Sequence, residues 1–206
     1  MKHLDNENIV YSDNHLLVVE KPADMATQPD LTELAKAYVK KKYNKPGNVF
    51  LHPAHRLDKA VSGLVLFART SKALSRLQEM MRDRKIVKIY HALVEGELPA
   101  EQGMLVHHLI HGSFRAEVSK AGKESILEYR VLKRERGATL LEIHLITGRY
   151  HQIRAQLSAI GCPVLGDEKY GSKKSWPKGI ALHHSEMRFE HPVTKESLVL
   201  KRKPHF

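Results

Sequence analysis

"HPAHRLDKAVSGLVLFART", residues 52–70, decides how this chain is read. Leu64-Val65-Leu66-Phe67-Ala68 is a short apolar run that follows Ser62-Gly63, and its length and bounds predict a buried strand. Immediately before it stand His55, Arg56, Asp58 and Lys59. An acid among bases at the mouth of a core strand has two readings. One is a polar loop that closes an ion pair, and the other is a reactive carboxylate held by a rigid strand end. The rest of the chain decides between them.

Upstream, "IVYSDNHLLVVEKPADM" predicts two short strands around the turn Ser12-Asp13-Asn14, ending at Lys21-Pro22. In "DLTELAKAYVKKKY" the spacing of Leu31, Leu34 and Tyr38 predicts a short amphipathic helix. Downstream, Leu74, Leu77 and Met81 predict a helix with Thr70 or Ser71 as its N-cap. "VKIYHALVEGEL" alternates as a strand closed by Gly96. Residues 100–124 are polar and weakly periodic, and predict loop with short strands. "SILEYRVLKRERGATLLEIHLITG" predicts a hairpin turning at Arg136-Gly137, and "RYHQIRAQLSAIG" a helix ended by Gly161. Two further strand-like runs surround a Pro-centred turn in "GIALHHSEMRFEHPVTKESLVLKRK". Strands outnumber helices and most connections are hairpin-length, so the class is α+β with a largely antiparallel sheet.

At 206 residues the chain suits one domain, 1–206, able to bury a core without staples. A single cysteine, Cys162, rules out an internal disulfide framework or a multi-cysteine zinc site. The polar start is not a signal peptide, and no apolar run approaches the ~20 residues of a membrane span. These features predict a soluble cytoplasmic protein. Lysines and arginines exceed acids by 34 to 23, a net +11, which favours a polyanionic partner, most simply nucleic acid.

Fourteen histidines raise the question of a metal. His52 and His55 have H-x-x-H spacing, but the pairs His107-His108 and His183-His184 point to opposite faces of a strand. No metalloprotease, EF-hand or zinc-finger pattern occurs, and no Gly-rich phosphate loop. The expectation is an activity with no metal and no cofactor.

Three segments remain: "HRLDKAVSGLVLFA", "KIYHALVEG" and "TGRYHQIRAQLSAIGCPVLGDEKYG". Together they resemble the RluA-type pseudouridine synthases, which isomerise uridine to pseudouridine in structured RNA. The resemblance covers most of the chain. It implies the pseudouridine synthase fold: α+β, a central mixed, mainly antiparallel sheet with flanking helices and an active-site cleft across it. The family's catalytic aspartate falls on Asp58, which answers the opening question. Its oxygen would either attack carbon 1′ of the ribose or take a proton from carbon 2′. The family's tyrosine matches Tyr90, whose ring can stack on an extruded base and whose phenol can serve the proton leaving carbon 5. The basic partner of the aspartate matches Arg154, and the arginine that enters the RNA stack matches Arg56. His55, Arg149 and His151 lie in the same motifs and are assigned to substrate binding.

Three positions depart from the family pattern: Asp24 stands for a glycine, Tyr150 for a threonine, and His184 for a small residue. Asp tolerates left-handed backbone, so the turn at Asp24 can survive. The small N-terminal RNA-binding domain of several relatives is not expected, since only about ten residues precede the first strand. The implied partner is a ribosomal or transfer RNA stem-loop, bound by a monomer. Two rival readings are a non-catalytic RNA binder on the same scaffold and a metal-assisted nuclease built on His52 and His55.

Overall fold

The computed structural model describes residues 3–135 and 137–206. The chain divides into two compact units, one of residues up to Ile86 with Glu186–Lys203, the other of Val87–Ser185 with Pro204–Phe206. Each of the strand pairings described below is antiparallel.

In the first unit, β1 (Ile9–Ser12) and β2 (Leu16–Lys21) form the predicted hairpin. Asp13 builds its turn: one carboxylate oxygen accepts from the backbone N–H groups of His15 and Leu16, each at 2.7 Å. β2 pairs with β4 (Ser62–Ala68), and Leu64 through Ala68 have no exposed surface, as the opening stretch predicts. The short β3 (His52–Pro53) also pairs with β4, so residues 54–61 form a loop tied at both ends to one strand. β10 (Leu182–Glu190) runs from the second unit into the first, where Glu186–Glu190 pairs with β11 (Ser197–Lys201). Leu16, Val18, Leu64, Leu66, Met187 and Phe189 form the core of this unit. α2 (Ser71–Arg82) adds Ala73 and Leu77 to that core, and the Thr70 hydroxyl caps it by accepting from Ala73 N–H at 3.2 Å.

α1 (Thr32–Lys42) exists as predicted, but its buried stripe is rotated. Leu31, Ala35 and Val39 are enclosed, whereas Leu34 and Tyr38 are only half-buried. Small Ala35 lets the helix approach closely, and Tyr38 keeps its hydroxyl outward, donating to Asn6 at 3.0 Å.

In the second unit the strand order is β5 (Val87–Val94), β9 (Ala138–Leu145), β8 (Lys123–Glu135), β6 (Gln102–His111), β7 (Ala116–Val118). The β8–β9 hairpin matches the sequence pattern; of its turn pair, Arg136 lies outside the described residues and Gly137 takes φ 72°. Residues 100–124 hold a correction: β6 is ten residues long, not a loop with short strands. Leu105 and Leu109 face inward, but Met104, Val106 and Ile110 on the other face are 56%, 50% and 37% exposed. Apolar residues on both faces cancel the alternation that marks a half-buried strand.

α3 (Gln152–Ala159) buries every residue from Gln152 to Leu157. It stops at the predicted Gly161, whose φ is 75°, with Gly161 N–H bonded to the Ser158 carbonyl and Cys162 N–H to the Leu157 carbonyl.

The Asp13 turn carries a pH-dependent share of stability. Burial pushes the carboxyl's pKa up, but the two backbone donors, the Tyr11 hydroxyl at 3.0 Å and His191 Nε2 at 2.9 Å bring it below the ordinary value. A depressed carboxyl stabilises the fold above its unfolded pKa, and that contribution is lost as pH falls through the folded value. Asp13→Asn should therefore cost about 1 kcal/mol at neutral pH. Urea unfolding should show the gap to wild type closing as pH drops below ~4.

Candidate active site

The residues assigned from the sequence fall into two groups, one in each unit. Asp58 sits half-buried in the loop between β3 and β4, and its carbonyl accepts from Val61 N–H at 3.1 Å to close a turn. Leu57 beside it is buried and pinned: its N–H donates to Thr27 Oγ1 at 3.1 Å, and that hydroxyl donates to the Leu57 carbonyl at 3.0 Å. Arg56, one residue earlier, is exposed. The loop thus alternates a solvent-facing guanidinium, an apolar anchor and a carboxylate. His55 Nε2 accepts from Leu66 N–H at 3.2 Å, which ties the loop to β4 from inside. His52 is exposed and packs on Phe50 at 4.5 Å, so the H-x-x-H pair serves two separate structural contacts.

Lys21 was not singled out by sequence. It is fully buried at the end of β2, and Nζ donates to the carbonyls of Pro22 at 3.0 Å, Met25 at 2.7 Å and Lys59 at 3.2 Å. Its three N–H bonds join the turn after β2 to the residue that follows Asp58. Burial pushes its pKa down to about 8, while the charges of Asp58 and Asp24 work the other way. Asp24 has φ 62°, so it does adopt the left-handed backbone foreseen for it. A buried lysine leaves no periodic trace, and only its place before Pro22 could have flagged it.

In the second unit, Tyr90 on β5 is 6% exposed, and its ring stacks on His184 at 4.4 Å and 14°. Arg154 on α3 makes a two-pronged ion pair with Asp167, Nε to Oδ2 at 2.6 Å and Nη2 to Oδ1 at 2.8 Å. These side chains are 7% and 1% exposed. The guanidinium also lies 5.0 Å from the centre of the Tyr170 ring. Both Asp167 and Tyr170 belong to the G-D-x-x-Y-G motif, which served only to mark the resemblance.

The start of α3 is braced by a full amide. Gln152 Oε1 accepts from the Thr147 hydroxyl at 2.8 Å and from Arg149 N–H at 3.0 Å. Its Nε2 donates to the Ile126 carbonyl at 3.1 Å and to Gln156 Oε1 at 2.9 Å. His151, at the N-cap with φ 50°, places Nδ1 3.0 Å from the Tyr170 hydroxyl. Burial raises the Tyr170 pKa to about 12, so its hydroxyl stays protonated at neutral pH. Arg149 is exposed, with Nε donating to the Glu124 carbonyl at 3.3 Å.

The first unit thus offers a carboxylate on a pinned loop, and the second an enclosed tyrosine and an arginine locked on a second acid. Residues 15–159 match the model of the RNA pseudouridylate synthase family. The chain is 36% identical to the dual-specificity RNA pseudouridine synthase RluA of Pasteurella multocida, over 97% of this chain and 94% of that protein. The RluA of Haemophilus influenzae is 33% identical with the same coverage. Among solved structures, the human RNA pseudouridylate synthase domain containing 4 superposes with a TM-score of 0.82 at 23% identity, covering 96% of this chain and 88% of that one. This chain belongs to the RNA pseudouridylate synthase family. It isomerises uridines of structured RNA to pseudouridine.

Lys21 gives a test of the first group. Its folded pKa lies below the unfolded value of 10.5, so between about pH 8 and 10.5 the unfolded chain binds more protons. Wild-type stability should therefore rise relative to Lys21→Met across that window, read by denaturant unfolding of both proteins at each pH. A constant difference would mean that Lys21 keeps its proton throughout.

Proposed function

We propose that Asp58 is the catalytic carboxylate, and that the chain works as one catalytic domain on uridines of ribosomal or transfer RNA stem-loops. The observation that carries this reading is the Asp58 loop itself. It is pinned by Leu57 on one side and by the Lys21–Lys59 bond on the other, so the carboxylate is presented rather than left to wander. Whether it attacks carbon 1′ or takes a proton from carbon 2′, the same fixed oxygen is needed.

Tyr90 supplies a ring for the extruded base and a phenol near the proton that leaves carbon 5. Arg154, held by Asp167, supplies positive charge for an acid or a phosphate, and Arg56, being exposed, can enter the RNA stack. Arg149 and His151 bind RNA at the start of α3. His55 contributes through the loop it ties down. Bond breaking and re-forming stay within one nucleotide, so no cofactor is called for, and the chain acts as a cytoplasmic monomer. The Pasteurella and Haemophilus relatives are named as dual-specificity enzymes, while relatives from Vibrio cholerae and Buchnera aphidicola are named for the large ribosomal subunit. Both kinds of RNA therefore belong in the assay.

Asp58→Asn should abolish product while leaving RNA affinity within a few-fold, because the amide keeps the shape and a carboxylate among phosphates does not aid binding. Tyr90→Phe should keep stacking and lose the phenol, so product formation collapses while binding survives. Pseudouridine in transfer and ribosomal RNA treated with each variant, with a chelator present, measures both. Turnover by the Asn variant would overturn the assignment of Asp58.

With net charge +11, affinity should come largely from phosphate contacts, each adding about −0.7 to the slope of log affinity against log salt. About four contacts weaken binding roughly 50-fold between ~50 and ~200 mM salt. Phosphates carry no base identity, so loop uridines, which cost least to unstack, should be preferred over paired ones. A salt series on a stem-loop and its duplex counterpart checks both points.

A further inference from the structure

The second unit carries a row of rings in which only His151 has a part in the reading above. His151 lies 3.8 Å from Tyr150 at 19°, and Tyr150 lies 4.1 Å from His111 at 31°. The first pair is stacked and the second tilted at close contact, and the row runs outward from Tyr170, whose ring meets His151 edge-on at 5.6 Å. Tyr150 is 42% exposed and His111, at the end of β6, is exposed as well. In the turn after β6, Phe114 is 79% exposed. Core packing explains none of these three surfaces.

The row is built, not incidental. Tyr170 joins its three segments: its hydroxyl accepts from Ala116 N–H at 2.7 Å and meets His151 Nδ1 at 3.0 Å. Arg115 Nη1 donates to the Lys169 carbonyl at 3.4 Å, fixing the β6–β7 turn against the turn of Asp167 and Tyr170. Cations adjoin the rings along the chain: Arg149 precedes Tyr150, Lys169 precedes Tyr170, and Arg115, with Glu117 beside its Nε at 3.4 Å, precedes the Ala116 that Tyr170 bonds. The inner end of the row is the ring that carries Arg154 at 5.0 Å.

We infer that His111, Tyr150 and His151 form a stacking platform for an unpaired base of the RNA substrate, one that neighbours the reacting uridine. The inference rests on the RNA reading above and adds a second nucleotide to it. Aromatic faces bordered by arginine and lysine suit single-stranded nucleic acid, because any base offers a π-face and the cations follow its backbone. A protein partner would find few apolar contacts between these polar-edged rings. The base adds to the row at its solvent end, over His111, with Tyr150 behind it as support.

The test uses the intact protein and a short RNA stem-loop with 5-iodouridine at single loop positions, beside a matched duplex. His111→Ala and Tyr150→Ala should each weaken stem-loop binding by roughly 5- to 150-fold. His111→Phe and Tyr150→Phe should stay within about two-fold of wild type, since the ring and not its polar edge carries the contact. The slope of log affinity against log salt should be the same in the alanine variants as in wild type, because no phosphate contact is lost. Light should crosslink a loop position to the peptide that contains His111 or Tyr150. Alanine variants that bind as wild type, phenylalanine variants that fail equally, an equal loss on the duplex, or crosslinks only elsewhere would each overturn the platform. Thermal melting of each variant controls for folding; if Tyr150→Ala alone is destabilised, His111→Ala decides. Pseudouridine formed by wild type in cellular RNA tests the RNA reading separately, so the platform can fail while that reading stands.

Discussion

A guanidinium enclosed to 7% exposure demands a partner, and the turn that supplies Asp167 to Arg154 sets much of the second unit. Taking two charges out of water costs several kcal/mol for each ion, and only close, parallel hydrogen bonds offset it. The turn is shaped for that purpose. Gly166 adopts φ 81°, and a Cβ there would come within 2.4 Å of Trp176 Cβ, so the close approach is open to glycine alone. The Asp167 carbonyl then takes the N–H groups of Tyr170 at 2.9 Å and Ser172 at 3.1 Å, which fixes the carboxylate and the Tyr170 ring together. One short motif thus places an acid, its cation and an aromatic hub.

The first unit meets the same problem with a different donor set. Lys21 has no surface exposed, yet the groups it touches are three carbonyl dipoles rather than a carboxylate. Dipoles satisfy hydrogen bonds without neutralising charge, so burial still tells on its proton affinity. An ammonium suits this place because its three bonds radiate to separate segments, from Pro22 to Lys59. A planar fork suits Arg154, where two parallel bonds must meet one carboxylate. The two cations are not interchangeable, and each is read by the geometry that surrounds it.

Much of this was legible in the residues, and the parts that were not share a cause. The buried strand at Leu64–Ala68, the Asp13 turn, the Thr70 cap and the Gly161 stop each depend on a few adjacent residues, so local rules found them. β6 was missed because Met104, Val106 and Ile110 give its open face the same chemistry as its closed one. The α1 stripe was misplaced by one position because Ala35 buries little and carries little weight in a hydrophobic pattern. Asp58, Tyr90 and Arg154 were named through the motifs, whereas Lys21, Asp167 and Gln152 act by long-range bonds that spacing does not encode. Lys21 reaches a carbonyl 38 residues away, and Gln156 donates to one 51 residues away.

The stretch T-G-R-Y-H-Q-I-R shows why such a motif is dense in polar residues that never meet solvent. Thr147, Gln152 and Arg154 point inward, and each spends its hydrogen-bonding groups on the frame. Arg149 and Tyr150, between them, are exposed. The change of face happens at His151, where φ 50° turns the chain into α3. A left-handed residue costs about 1 kcal/mol or more in an L-amino acid, and it persists where surrounding bonds over-determine it. Here Gln152 fixes the residues on either side of the bend, and Tyr170 meets the bending residue itself. Rigid support and accessible side chains are thereby drawn from neighbouring residues, and what Arg149 and Tyr150 present outward keeps its position because the inward half of the motif has no freedom left.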